Sequence, residues 1–381
     1  MTTWAEDVHL VAHNVPWPPD NGGLIDVFFK IKALAEAGAR VHLHAFAYGR
    51  QPAPELERLC ASVRLYPRDK NPARILSLEP FIVAGRRPAA LLQDLQRTAH
   101  PILFDTLHTT AFLDHPALQE RMRAVRTHNV EHRYYRGLAC AARPLMKKVY
   151  YSLEAIKLHH YEKKLRSAGC LFAISPGERA YFERYGKVVW IPPFHPHTLK
   201  WPGKTGDFAL YHGHLGVEEN QKAALWLVRH VWSRPELRKV PLVVAGQGAP
   251  AHLKRHIHAR PGVTLREDVT LADLEDLIGR ARLHVLPSFQ STGVKLKLIA
   301  ALASGRAVLA NRPMVAGTGL EMAVRVADGV EEFARQAAEL FELGGMGRGD
   351  DWGERERLFA EVLNNAKNAE RMLRALAGGA A

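Results

Sequence analysis

Ser288-Phe289-Gln290-Ser291-Thr292-Gly293-Val294-Lys295-Leu296-Lys297 is the segment whose residue types most clearly suit a chemical task. It joins a strand-like run, Leu283-His284-Val285-Leu286-Pro287, to an apolar helix-like run closed by Gly305. A small polar loop in that position offers unpaired backbone N–H groups and the positive end of a helix dipole, both of which favour an anion. Lys295 and Lys297 add full positive charges beside the N–H groups of Thr292, Gly293 and Val294, and the anion that fits this arrangement best is a diphosphate. A plainer reading makes the lysines solvated positions flanking Val294, Leu298 and Leu302.

A second set of chemical groups lies in the first half. His108 follows Phe104-Asp105-Thr106-Leu107, and His128 opens His128-Asn129-Val130-Glu131. Both stand just after strand-like runs, where open α/β sheets place their ligands. Either imidazole can hydrogen-bond a substrate hydroxyl, and Glu131 can orient the acceptor or a histidine. The chain has 20 histidines, so a structural role stands open for each. His13 and Asn14, after the first strand, are lesser candidates for lining the same site. Gly22 and Gly23 end a loop rich in proline and glycine and allow backbone to approach an anion closely. Cys60, Cys140 and Cys170 are widely spaced, and there is no Asp-x-Asp pair, so neither a disulfide framework, a zinc site nor a catalytic metal is expected.

The elements that must hold these residues repeat a strand–loop–helix–strand theme. Val8–Ala12 reads as a strand, Leu24, Val27, Phe28, Ile31 and Leu34 as one face of a helix stopped by Gly38, and Val41–Phe46 as the next strand. Further strands are expected at Ile102–Asp105, Met122–Thr127, Gly169–Ile174 and Val188–Ile191. The pattern restarts with strand Phe208–Gly213, helix Gln221–Trp232 and strand Pro241–Gly248. It continues through Val263–Leu265, helix Leu271–Arg282 and strands Leu283–Leu286, Ala307–Ala310 and Val324–Val326. The pattern predicts an α/β protein with two Rossmann-like domains, an interdomain cleft and a C-terminal helix. The expected division is 1–196, a linker at 197–206 centred on a proline-dense stretch, 207–352, and a single charged helix with a flexible tail at 353–381.

A length of 381 residues suits two domains, and the absence of an apolar run near the roughly 18 residues needed to span a bilayer argues against a membrane-embedded chain. With no signal-peptide pattern and unpaired cysteines, a cytoplasmic location is expected. The net charge of +13 calls for an anionic partner. No nucleic-acid reading motif is present. The densest basic stretch, Arg121 to Arg166, places Lys147, Lys148, Lys163 and Lys164 among Tyr150, Tyr151, Leu153, Ile156 and Leu158. Two readings stand: a surface resting peripherally on anionic lipid at the inner face of the membrane, or a solvated helix with its apolar side in the core.

In order and spacing, several weak motifs together resemble the GT-B-fold retaining enzymes of glycosyltransferase family 4 and their close relatives. They are Pro18 to Gly23, His128 to Glu131, Tyr211-His212-Gly213, Val244 to Gly248 and Pro287 to Gly305. The resemblance covers nearly the whole chain. It implies a metal-independent, retaining transfer of a sugar from a nucleotide-sugar donor, such as a UDP- or GDP-sugar, to a glycan, lipid-linked or other hydroxyl acceptor in cell-envelope polysaccharide biosynthesis. Within that reading the expected catalytic residues are His108, His128 and Glu131 on the acceptor side, and Gly22, Gly23, Gly213, Thr292, Gly293, Val294, Lys295 and Lys297 are expected to bind the donor. No separate cofactor is implied. Base recognition falls to Leu265–Val269. The chain departs from the family where two glutamates usually stand, holding Thr292 and Ala300, and where an Arg and a Lys usually stand, holding His214 and Asn220. The departures keep two alternatives in view: a nucleotide-sugar epimerase, and a degenerate GT-B module that binds nucleotide or glycan without catalysis.

Overall fold

The computed structural model describes residues 6–378 apart from Pro52, Pro202, Ser291, Thr292 and residues 345–348. The chain divides into two compact units, one of residues 1–196 with 363–381, the other of residues 197–362.

The first unit holds seven parallel strands in the order β3-β2-β1-β4-β5-β6-β7. They are β1 (Asp7–Ala12), β2 (Arg40–Ala47), β3 (Ser62–Pro67), β4 (Ile102–Asp105), β5 (Arg123–Thr127), β6 (Cys170–Ala173) and β7 (Val188–Trp190). Strands buried on both faces need apolar runs: β6 has one, β4 has one up to Asp105, and β1 has one interrupted by the buried His9. The order reverses between β1 and β4, so the loops leaving these two strands diverge and open a crevice at their carboxyl ends. Helix Gly22–Glu36 begins where the Asn21 side chain accepts from the Leu24 N–H, and it stops before Gly38, whose φ of +91° suits glycine. Its inner face buries Leu24, Val27, Ile31 and Leu34. Each contributes about 1.5–3 kcal/mol relative to exposure.

The second unit holds six parallel strands in the order β10-β9-β8-β11-β12-β13. These are β8 (Ala209–His212), β9 (Leu242–Gly246), β10 (Val263–Glu267), β11 (Leu283–Leu286), β12 (Ala307–Ala310) and β13 (Arg325–Val326). The reversal again falls at the centre, between β8 and β11. The expected α/β architecture of two Rossmann-like units is therefore observed.

Three expectations differ in detail. The C-terminal helix is not continuous: helix Gly349–Arg357 passes through a π-turn at Leu358–Val362 and ends, and Asn364 caps a new helix, Asn365–Leu376. That helix buries Ala369, Met372, Leu373 and Leu376 in the first unit's core with Val27 and Ile31. Residues 197–206, expected as a linker, lie in the second unit, where the Lys200 N–H donates to the Ala303 carbonyl and the Gly206 N–H to that of Arg280. Helix Leu145–Tyr161 does not turn its apolar side inward: it buries Glu154, Ala155 and Leu158 and exposes Leu145, Met146, Val149, Leu153 and Ile156. Glu154 is drawn inward because it accepts from the Phe81 N–H (2.7 Å) and the Lys157 ammonium (2.8 Å).

Candidate active site

In the first unit, the carboxyl ends of β1, β4 and β5 and the first turns of helix Gly22–Glu36 bring together eight titratable side chains. Asp26 accepts from the Lys30 ammonium (3.0 Å), the Arg126 guanidinium (3.0 Å) and the backbone N–H of Phe194 (2.8 Å). The Lys30 ammonium also donates to Asp105. The His128 Nε2 atom stands 3.3 Å from Asp105 and 3.4 Å from Asp26, and the His13 Nδ1 atom 3.6 Å from Asp105. His108 Nε2 stands 3.4 Å from the buried Glu131 carboxylate. All three imidazoles remain partly exposed while the groups beneath them are buried. Charged groups thus form a floor, with histidines above it at the mouth of the crevice.

Burial alone would raise both floor carboxyls, but the cations override it. Arg126 and Lys30 hold the Asp26 carboxyl well below the usual carboxylate range, and Lys30 and His128 do the same for Asp105. His13 is pushed down to about 4, by burial first and by His108 and His128 against the pull of Asp105, so it is neutral at pH 7. A neutral imidazole can donate or accept one hydrogen bond, as recognition of a sugar hydroxyl requires. Ligand atoms of Asp26, Asp105 and His128 lie within 4.8 Å of one another, a spacing that would accommodate a metal ion. Lys30 and Arg126 already neutralise those carboxylates, which makes the group a poor metal centre.

Two backbone features hold the crevice. Thr106, at the end of β4, has φ +74°, which is strained for a β-branched residue, and its hydroxyl accepts from the His108 N–H at 3.1 Å. The buried Arg86 guanidinium donates to the His13 carbonyl at 3.2 Å, fixing the loop after β1. Gly23 lies against His13: a Cβ there would stand 3.6 Å from its ring. Gly22 is the first residue of helix Gly22–Glu36.

The residues expected at the acceptor side, His108, His128 and Glu131, are therefore brought into one crevice. Asp26, Lys30, Asp105 and Arg126 were not anticipated. Their signal was a charged residue inside an apolar run: Asp105 closing Ile102-Leu103-Phe104, Arg126 within β5, and Asp26 and Lys30 four apart on a helix face beside Val27 and Ile31.

In the second unit, the carboxyl ends of β8 and β11 hold the lysine loop. Lys295 caps helix Leu296–Ala303 and its ammonium reaches the Gln290 carbonyl. The half-buried Lys297 ammonium donates to Asn220 Oδ1 (2.8 Å), stands 3.3 Å from the Tyr211 hydroxyl and lies 4.9 Å over the Tyr211 ring. Burial lowers Lys297 to about 8, partly offset by Glu219 and reinforced by Lys295. Glu219 in turn accepts from the Ser288 hydroxyl. Asn220 is one of the two positions where the resembling family has a basic residue, so Lys297 brings an ammonium to that place. Gly293 has φ +69°, and Gly213 packs on Asn220. Val294 is half-buried. Thr292 lies outside the described residues. Ala300 is buried in one apolar cluster with Leu210, Ala245, Ile278 and Ala281. Leu265–Glu267, expected in a base-recognition loop, belong to β10, leaving Asp268 (φ +53°) and Val269 beyond its end.

Residues 207–342, the larger part of the second unit, match the family model for glycosyl transferases group 1. The chain is 24% identical over 332 residues to an uncharacterized 44.6 kDa protein in the cps region of Klebsiella pneumoniae, covering 81% of this chain and 84% of the relative. Among solved structures, a glycosyltransferase from Rickettsia africae is similar over 99% of this chain and all of its own, with 14% identity and a TM-score of 0.64. A UDP-forming trehalose-phosphate synthase from Burkholderia xenovorans, in complex with glucose-6-phosphate, matches 98% of this chain and all of its own (11%, TM-score 0.64). An S. aureus TarM mutant in complex with Fondaparinux, alpha-GlcNAc-glycerol and UDP matches 97% and 99% (9%, TM-score 0.65). The fold is that of GT-B glycosyltransferases. The family-model match and these neighbours support a GT-B glycosyltransferase.

Proposed function

We propose that the chain is a retaining, metal-independent glycosyltransferase that moves a sugar from a nucleotide-sugar to a hydroxyl of a cell-envelope glycan or lipid-linked acceptor. The observation that carries this is the Lys297 ammonium, held beside Asn220 and Tyr211 at the reversal point of the second sheet. It lies within the segment that matches group 1 glycosyl transferases.

Charge builds on the diphosphate as the glycosidic bond to it breaks. Fixed cations that meet this charge stabilise the transition state more than the ground state. Lys295, Lys297 and the N–H groups of Gly293 and Val294 take that role. On the acceptor side, Glu131 stands 3.4 Å from the His108 Nε2 atom, which keeps no hydrogen-bond partner among the described residues, while Asp105 and Asp26 flank His128, so both rings are available to sugar hydroxyls. The cps-region relative favours capsular polysaccharide as the product class, and the UDP in the TarM complex favours a nucleoside diphosphate leaving group. The exposed stripe of helix Leu145–Tyr161 gives the protein a peripheral hold on an anionic membrane where lipid-linked acceptors reside.

A panel of UDP- and GDP-sugars, screened for nucleotide release with envelope glycans and lipid-linked acceptors, tests the reading. Release that needs both donor and acceptor, with retention of the anomeric configuration by NMR, is expected. A donor that raises the melting temperature yet never yields free nucleotide would instead make the chain a binding module. The absence of a carboxylate at Ala300 is the observation on that side.

A further inference from the structure

At the opposite, amino-terminal ends of the same central strands lies a second group of ligating side chains. Asp7 opens β1, His42 stands on β2, and His100 lies two residues before the start of β4. The order β2-β1-β4 makes these three neighbouring strands. Pairing of His9 with His42, and of Asp7 with Arg40, sets the register. With side chains alternating along each strand, Asp7, His9, His42 and His44 share one face.

We propose that Asp7, His42 and His100 form a site for a zinc-like divalent ion that clips β1, β2 and the lead-in to β4 together. One ligand atom from each lies within 4.8 Å of the other two. Two imidazoles and a carboxylate are a ligand set suited to zinc, with water completing a tetrahedron. The His42 Nε2 atom is 2.8 Å from Asp7 Oδ1, while its Nδ1 atom is 2.9 Å from the Ser62 hydroxyl. That second contact orients the ring, as the outer partners of metal-bound histidines do. The His100 ring stacks on His42 at 5.6 Å with an interplanar angle of 1°, and its nitrogens make no hydrogen bond among the described residues. All three residues are half-buried, so solvent reaches the group.

The surroundings favour this group over the other two of similar composition. Asp26, Asp105 and His128 already pair with two buried cations. In the third, His132, His159 and Glu162, both Glu162 oxygens are engaged by His132 and by the hydroxyls of Tyr181 and Tyr185. Near Asp7 the facing cation is Arg40, 3.6 Å away but 69% exposed and able to swing clear. The adjacent His9 is already engaged: its two ring nitrogens contact His44 and Thr98.

The test is a calorimetric zinc titration of the metal-free full-length protein, repeated with His100→Ala, Asp7→Asn and His159→Ala. One tight site is expected in the wild type, weakened about a hundredfold in the first two variants and unchanged in the third. Cobalt in place of zinc should give the visible absorption of a tetrahedral site, lost in His100→Ala. Unfolding curves without metal confirm that the variants fold. No tight site in the wild type, equal affinity in His100→Ala and Asp7→Asn, or a loss confined to His159→Ala would each overturn the proposal.

Discussion

Lys297 carries both a pKa and a hydrogen-bond pattern that make it testable on its own. Its pKa, lowered to about 8, means that the ammonium is charged below that pH and loses its proton above it. Donor capture should therefore be strongest below about pH 8, and kcat/KM for the donor should fall tenfold per unit at higher pH. In Lys297→Arg the guanidinium stays charged throughout, so the alkaline fall should disappear. A fall that persists unchanged in the arginine variant would assign it to another group. Lys30 offers a stability test. It separates Asp26 from Asp105, so Lys30→Ala leaves two buried carboxylates facing each other. Both carboxyls are held below their unfolded value near 4. Their contribution to stability is therefore fully present above that pH and is lost as the pH falls through the folded values. Denaturant unfolding at pH 7 should show Lys30→Ala destabilised by about 3–5 kcal/mol; an unchanged midpoint would refute the pairing.

At the scale of elements, legibility in the sequence followed burial. β4 is a continuous apolar run ending in Asp105, and its expected bounds are those observed. β3 was missed: it is an edge strand whose apolar residues alternate with Arg64 and which ends at Pro67, so no run stands out. The crevice histidines were legible because each follows a strand. Their charged floor was not, since pairing of Asp26 with Arg126 joins residues one hundred positions apart. Helix Leu145–Tyr161 was ambiguous because both faces carry apolar side chains, and only the buried Glu154 contacts settle which faces solvent. The glycine after β8 and the one that ends β9 show a close approach that only the folded chain reveals. A Cβ on Gly246 would lie 1.8 Å from the Gly213 carbonyl oxygen, and φ is +153°. Gly246→Ala must push the β8 turn aside, displacing the Gly213–Asn220 contact beside Lys297. We expect a lowered melting temperature together with weakened nucleotide binding; normal values for both would show that the turn tolerates a side chain.

At the scale of the whole molecule, the +13 charge and the exposed apolar stripe of helix Leu145–Tyr161 both bear on what the protein binds. Leu145 and Met146 are 73% and 81% exposed, and Leu76 and Leu78, on a segment tied to the helix by the Lys157–Ile75 hydrogen bond, are 88% and 95% exposed. Lys147, Lys148 and Arg143 neighbour Leu145 and Met146 along the chain. Apolar surface of this kind marks an interaction site. Among the described residues no helix is long and apolar enough to cross a membrane. The protein should sediment with vesicles containing phosphatidylglycerol and little with pure phosphatidylcholine. Leu145→Asp with Met146→Asp should abolish the binding; retention by the double variant would place the contact elsewhere. The most direct test of the central claim, that the lysine loop receives a nucleoside diphosphate, is calorimetric titration of UDP and GDP into the wild type and Lys297→Ala. One of the two nucleotides should bind the wild type and lose about tenfold or more in affinity in the variant, a loss of at least about 1.4 kcal/mol. Equal affinity in the two proteins would contradict it.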